Sequence, residues 1–167
     1  MNVLFHLASS TVIPVLVIQA SARPKGFKKM SLNAFMAFIL GIIAHGTLDY
    51  IPHCYPIPSK IDVTVGAVFI AFVLWKVKFS FKLIYFTAMI GCIFPDLLDL
   101  GPSIANDILG LNLPIFDKVF PWHFSEYSGS LYYQDCTVSM INHALLFVVI
   151  GIVLWYCRRD FFYHLGK

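Results

Sequence analysis

His45 and Asp49 stand four residues apart in Gly41-x-x-x-His45-x-x-x-Asp49, and Pro52-His53 follows at once. Residues four apart share one face of a helix, so this spacing presents an imidazole and a carboxylate side by side. Pro52 has no N–H to give to the preceding turn and ends such a helix, which lets His53 fold back over the same face. Neutral imidazole and carboxylate together suit Zn²⁺ or a comparable divalent ion. The plainer reading is an interhelical hydrogen-bonded His–Asp pair without metal.

A second element, Gly91-x-x-x-Pro95-Asp96 with Asp99 three residues on, offers carboxylate oxygens where Pro95 ends or kinks a helix. Alone, it also reads as a capped helix terminus with two solvated aspartates. His6 and His143 each sit singly among apolar residues, as a satisfied core histidine or a ligand would. His123 and Glu126 lie in a stretch rich in Trp and Tyr. They are candidate acid–base groups beside a metal, against the reading of an aromatic loop at a membrane interface. The expected ligands are His6, His45, Asp49, His53, Asp96 and His143, and the expected catalytic groups are His123 and Glu126. Asp62, beside Lys60, reads as a helix start. No Gly-rich phosphate loop, Gly-x-Ser-x-Gly elbow or dinucleotide fingerprint is present, which counts against cytosolic nucleotide chemistry.

The elements that must position these residues are apolar. The 167 residues are 59% hydrophobic and 13% charged, with mean hydropathy +0.77, too little charge to cover a soluble domain. A hydrocarbon core of about 30 Å needs roughly 20 apolar residues per helix. Five stretches qualify: 3–20, 30–51, 61–77, 81–100 and 138–157, the third being the shortest. A lipid-facing backbone must satisfy its own hydrogen bonds, so these are helices. The expected fold is all-α: one domain, residues 1–167, a polytopic bundle of five transmembrane helices with an external loop at 101–137.

Charge orients the bundle. Arg23, Lys25, Lys28 and Lys29, then Lys76, Lys78 and Lys82, then Arg158, Arg159 and Lys167 all fall on one side of five alternating spans; only Lys60 and Lys118 fall on the other. The basic side is cytoplasmic by the positive-inside rule, so the chain starts outside and ends inside. The run at 23–29 is then a topology determinant touching anionic headgroups, not a nucleic-acid site. The alternative is a signal peptide cleaved near Ala20-Ser21-Ala22, but residues 1–10 carry no Lys or Arg. The expected location is a bacterial or archaeal inner (cytoplasmic) membrane.

On this topology every carboxylate except Asp160, and every histidine except His164, is external or in the outer leaflet. An Asp at a helix centre costs at least about 2.5–3.5 kcal/mol and usually faces a partner or a cavity. His6, His45, Asp49, Asp96 and His143 come from four helices at similar depth, and a shared metal would offset that cost. Among the cysteines, Cys92 and Cys157 read as small apolar residues. Cys54 and Cys136 are both external, and a disulfide between them is open.

At these motifs the chain resembles the membrane-bound, metal-dependent hydrolases distantly related to zinc-dependent phospholipase C. The resemblance rests on His6-Leu-Ala-Ser-Ser, on Gly41-x-x-x-His45-x-x-x-Asp49 with Pro52-His53, and on Gly91-x-x-x-Pro95-Asp96. It implies metal ligation by His45, Asp49 and His53, with Asp96 as a ligand from another helix. The chain departs from the family in lacking a His-Arg-Gly…Thr-His-Ser segment, whose nearest counterparts are His123 and Asn142-His143. The N-terminal amine ligand of the secreted phospholipases has no evident equivalent in the sequence.

Three functions compete. The first is a metal-dependent phosphoester hydrolase acting on a lipid headgroup or lipid-linked phosphate at the outer face, with Asp49 bridging two ions. The second is a non-catalytic small subunit or ion-handling component of a larger membrane complex. The third is haem binding by two histidines, which the crowding carboxylates disfavour. Membrane lipid, a lipid-type phosphoester, and a membrane-protein partner or second copy are the expected associates; nucleic acid is not.

Overall fold

The computed structural model describes residues 1–21, 26–131 and 136–166. Ala22, Arg23, Lys25 and Lys167, which figure in the reading above, lie outside the described residues. The elements are α1 (Val3–Ser10), α2 (Ile13–Ser21), α3 (Phe27–Tyr50), α4 (Ser59–Lys76), α5 (Phe79–Asp99), α6 (Gly101–Leu109), a single 3-10 turn (Pro121–His123), α7 (Thr137–Tyr156) and α8 (Arg158–His164). Among the described residues there is no sheet, only an isolated bridge between His53 and Ser130.

Among the described residues four stretches are long and apolar enough to cross a membrane: Val3–Ser21 (α1 and α2 together), α3, α5 and α7. The expected 61–77 segment is helical too, as α4, but Lys60, Asp62 and Lys76 fall within its 18 residues. The 101–137 region is not wholly a loop. It opens with α6, which starts with Pro at its first turn and ends on Gly110 in the left-handed conformation (φ 64°).

The first span is broken at Thr11–Val12 for identifiable reasons. Ser9, Ser10 and Thr11 turn their hydroxyls back onto the carbonyls of His6, Leu7 and Ala8 at 2.7, 2.6 and 2.8 Å, which competes with the helical ladder. Pro14 then has no N–H to give to Ser10.

α3 and α5 form the central pair. They touch through backbone at Gly41 and Gly91: a Cβ on Gly41 would stand 2.7 Å from the Ala88 carbonyl oxygen, and one on Gly91 would enter the Phe38 carbonyl. Small residues of this kind let membrane helices pack closely. Gly91→Ala is therefore expected to part α3 from α5 and destabilise the protein by about 1–3 kcal/mol. A thermal melt in detergent checks it, an unchanged midpoint counting against the backbone contact.

The apolar core lies in one half of the bundle, where Ile13, Val15 and Ile18 of α2 meet Ala34 and Ala37 of α3 and Phe81, Ile84, Tyr85 and Ala88 of α5. α8 closes this end: Tyr85 Oη lies 3.2 Å from His164 Nδ1, and Lys78 N donates to the His164 carbonyl at 2.9 Å. The opposite half holds the start of α1 and the ends of α3 and α5, where the polar residues converge. Phe35, Met36, Ile39, Leu40 and Ile43 of α3, and most of α7, stay exposed, as lipid-facing helices do.

Candidate metal centre

Three strands of local structure bring the site together. α3 carries His45 and Asp49 on one face, and α5 carries Asp96 one residue beyond Pro95. The third is the 3-10 turn with its following loop, held by backbone bonds: Gly129 N donates to the Asp49 carbonyl (2.7 Å), His53 N to Gly129 O (2.8 Å) and Leu131 N to His53 O (2.8 Å). A disulfide joins Cys54 to Cys136 with their Cα atoms 5.9 Å apart, so the pairing left open by the sequence is made. Trp122 lies flat over Gly46, where a Cβ would stand 2.7 Å from the indole ring.

His45, Asp49, Asp96 and His123 form a group whose ligand atoms all lie within 4.8 Å of one another, three of the four residues buried. His45 Nε2 is 3.2 Å from Asp49 Oδ2 and 3.7 Å from Asp96 Oδ1; His123 Nε2 is 3.4 and 3.3 Å from the same oxygens. The two Nε2 atoms are 3.3 Å apart. Ligand atoms about 2.0–2.1 Å from a tetrahedral metal stand roughly 3.3 Å from each other, so these separations are those of coordination edges.

The proton positions strengthen this. His45 Nδ1 donates to the Cys92 carbonyl at 2.7 Å, and His123 Nδ1 donates to Asp99 Oδ2 at 2.8 Å. Each neutral ring has one N–H, and both are spent outside the cluster. The Nε2 lone pairs therefore face one another and two carboxylates, an arrangement that calls for a cation. Metal-ligating histidines are held by their second nitrogen in this way.

Asp49 has a second side. Its Oδ1 accepts from the Met1 α-amine at 2.6 Å and lies 3.2 Å from His6 Nε2 and 3.9 Å from His53 Nε2. His53 Nδ1 donates to the Ile51 carbonyl at 2.8 Å, leaving Nε2 as acceptor, 2.7 Å from the same amine. His6 is fully buried and stacks on His45 with ring centroids 4.0 Å apart; neither of its nitrogens has an aligned hydrogen-bond partner.

Electrostatics follow from this packing. Burial pulls the Met1 amine down, against the attraction of Asp49. Burial first, then the amine, push His53 down to about 4, so it is neutral. Burial also works to lower His123, but Asp49, Asp96 and Asp99 outweigh it and raise it to about 9. In the metal-free protein a proton supplies the positive charge that the carboxylates demand.

The remaining expectations divide. His123, expected as an acid–base group, is one of the four residues that could hold a metal ion. Glu126 is exposed on the loop and is not one of the four residues of the group. His143 is outside it too, stacked on Phe5 with centroids 3.9 Å apart and planes 5° from parallel. Two carboxylates singled out in the sequence have partners that it did not disclose. Asp62 does more than start α4: it caps α1, accepting from Val3 N (2.7 Å) and Leu4 N (3.0 Å). Asp99 accepts from Val119 N and Phe120 N, each at 2.9 Å, besides His123.

A cavity of about 440 Å³ opens beside the group, lined by Asp49, Asp96 and His123 and by Tyr55, Lys118, Ser128 and Ser130 among others. No protein family, no curated protein and no solved structure matches this chain.

Proposed function

We propose that the chain is a metal-dependent phosphoester hydrolase acting on a lipid or lipid-linked phosphate at the outer face of a cytoplasmic membrane. The observation that carries the reading is the convergence of His45 and His123, each anchored through Nδ1, on Asp49 and Asp96, three of the four residues lining a cavity. Nitrogen and oxygen donors at tetrahedral spacing favour Zn²⁺. A bound ion of this kind supplies Lewis acidity towards a phosphoryl oxygen and acidifies a water to near neutral pH. His45, His123 and Asp96 would hold it. A second ion would be held by Asp49 together with His6 and His53. The resemblance to membrane hydrolases related to zinc-dependent phospholipase C supports the same reaction class.

Five spans and an outward-facing site belong to this proposal. With α4 as a fifth crossing, Lys28, Lys29, Lys76, Lys78, Lys82, Arg158 and Arg159 share one side, as the positive-inside rule requires. The Cys54–Cys136 bond then lies on the other, where disulfides persist. A cysteine placed at Ser125 should react with an impermeant thiol reagent in intact cells, and one at Arg159 only after permeabilisation. The reverse pattern overturns the orientation.

The direct test incubates pure protein with phospholipids and polyprenyl phosphates in the presence of zinc and follows headgroup or phosphate release. Release that stops with a chelator and in His45→Ala supports the proposal. Bound metal without turnover on any lipid points instead to a non-catalytic, ion-handling subunit.

A further inference from the structure

The cavity beside the candidate metal centre is lined by residues of two kinds, and the hydrolase reading above does not by itself explain either. Among the polar ones Tyr55 Oη and Ser130 Oγ are 2.8 Å apart, and Ser130 Oγ and Ser128 Oγ are also 2.8 Å apart. Both Tyr55 and Ser130 lie 3.2 Å from His53 Nε2. Each hydroxyl is able both to donate and to accept, so the group can turn a donor towards an anionic ligand in exchange for one of these contacts. Lys118 is the one Lys or Arg among the described lining residues. Its ammonium gives one hydrogen to the His123 carbonyl at 2.5 Å and has two more. The apolar lining residues include Val3, Val63, Leu100 and Ile104, contributed by α1, α4, the residue after α5, and α6.

Resting on the hydrolase reading, we propose that this cavity is a two-part lipid-phosphate site. Lys118 and the Tyr55–Ser130–Ser128 hydroxyls receive an anionic headgroup, and the apolar wall between α4 and α6 receives the start of its hydrocarbon chain. The carboxylates in the cavity set the conditions. Asp62 is occupied by the α1 backbone, whereas Asp49 and Asp96 would repel a phosphate unless metal offsets them, so the headgroup binds only the metal-loaded protein. Val63 is 42% exposed on a helix at the bundle exterior, so the apolar wall is continuous with surface that faces lipid. A free phosphate has no use for that wall, and a neutral lipid has none for Lys118.

The test uses zinc-loaded protein in detergent and titration calorimetry with three probes: a short-chain phosphonate analogue of phosphatidic acid, inorganic phosphate, and the matching diacylglycerol. The phosphonate should bind saturably, inorganic phosphate more weakly, and diacylglycerol not at all. Losing a hydrogen bond to a charged group should weaken phosphonate binding roughly 10- to 100-fold in Lys118→Gln, with zinc content unchanged, and Lys118→Arg should recover most of it. Lys60→Gln, on the same side but outside the lining residues, should change nothing. If Lys118→Gln disturbs zinc, the Tyr55→Phe, Ser130→Ala double variant decides, and it should lose affinity likewise. Phosphonate affinity indifferent to Lys118 and to the hydroxyls overturns the proposal, as does inorganic phosphate binding as tightly as the lipid analogue. Lys118-dependent binding with no hydrolysis of phosphatidic acid sinks the hydrolase reading and keeps this site. Hydrolysis indifferent to these residues does the opposite.

Discussion

Replacing Asp49 with Ala is expected to strip the centre of metal while leaving the helices assembled. Both oxygens of Asp49 are engaged: Oδ2 faces His45 and His123, and Oδ1 faces the Met1 amine, His6 and His53. Without it, imidazole nitrogens and an amine crowd a buried space in which Asp96 is the only remaining carboxylate of the four-residue group. Loss of groups that merely support a metal ligand costs about 10- to 100-fold in affinity, so loss of the carboxylate shared by both sides should cost more than about 100-fold. The bundle has independent support in the α3–α5 backbone contact and the apolar core at the far end. Metal analysis after dialysis against a weak chelator makes the comparison, with the exposed Asp107→Ala as control. Wild-type zinc content in Asp49→Ala would show that the group does not bind metal through this carboxylate.

The candidate site was partly legible in the sequence, for a reason that also explains what was missed. A four-residue spacing on an apolar helix reports a shared face directly, which is why His45 and Asp49 could be paired. The Pro95-Asp96 step likewise placed an oxygen at a helix end. Depth is a weaker guide than face. His143 lies at the expected level of α7, but its azimuth turns it onto Phe5 and not into the ligand group. Position in a loop says less still. His123 reaches the cluster because residues 129–131 are hydrogen-bonded to residues 49–53 and because Cys54 is bonded to Cys136 across 82 residues. Such long-range partners have no signature in local spacing. The break between α1 and α2 was missed, since 3–20 was taken as one helix although Ser9, Ser10, Thr11 and Pro14 all weaken the ladder there. The amphipathic α6 was hidden inside a region judged by its lack of a long apolar run.

The role of Asp99 separates a metal centre from a hydrogen-bonded polar cluster. Its Oδ2 accepts from His123 Nδ1 and Phe120 N, and its Oδ1 from Val119 N. Asn in its place keeps one acceptor oxygen and sets an NH₂ against either the backbone donors or the imidazole N–H. Whichever way the amide turns, one donor faces another, and His123 loses the anchor that aims Nε2 at Asp49 and Asp96. If His123 ligates zinc, Asp99→Asn should weaken zinc binding by about 10- to 100-fold, read by competition with a chelating dye. Asp117→Asn, an exposed change in the same segment, should leave affinity alone. A cluster held only by hydrogen bonds predicts something else for Asp99→Asn: a lower melting temperature with or without zinc, and no change in the zinc stabilisation itself. Unaltered zinc affinity would remove His123 from the ligand set, leaving His45, Asp49 and Asp96 to hold the ion and returning His123 to the acid–base role that its place in the cavity also allows.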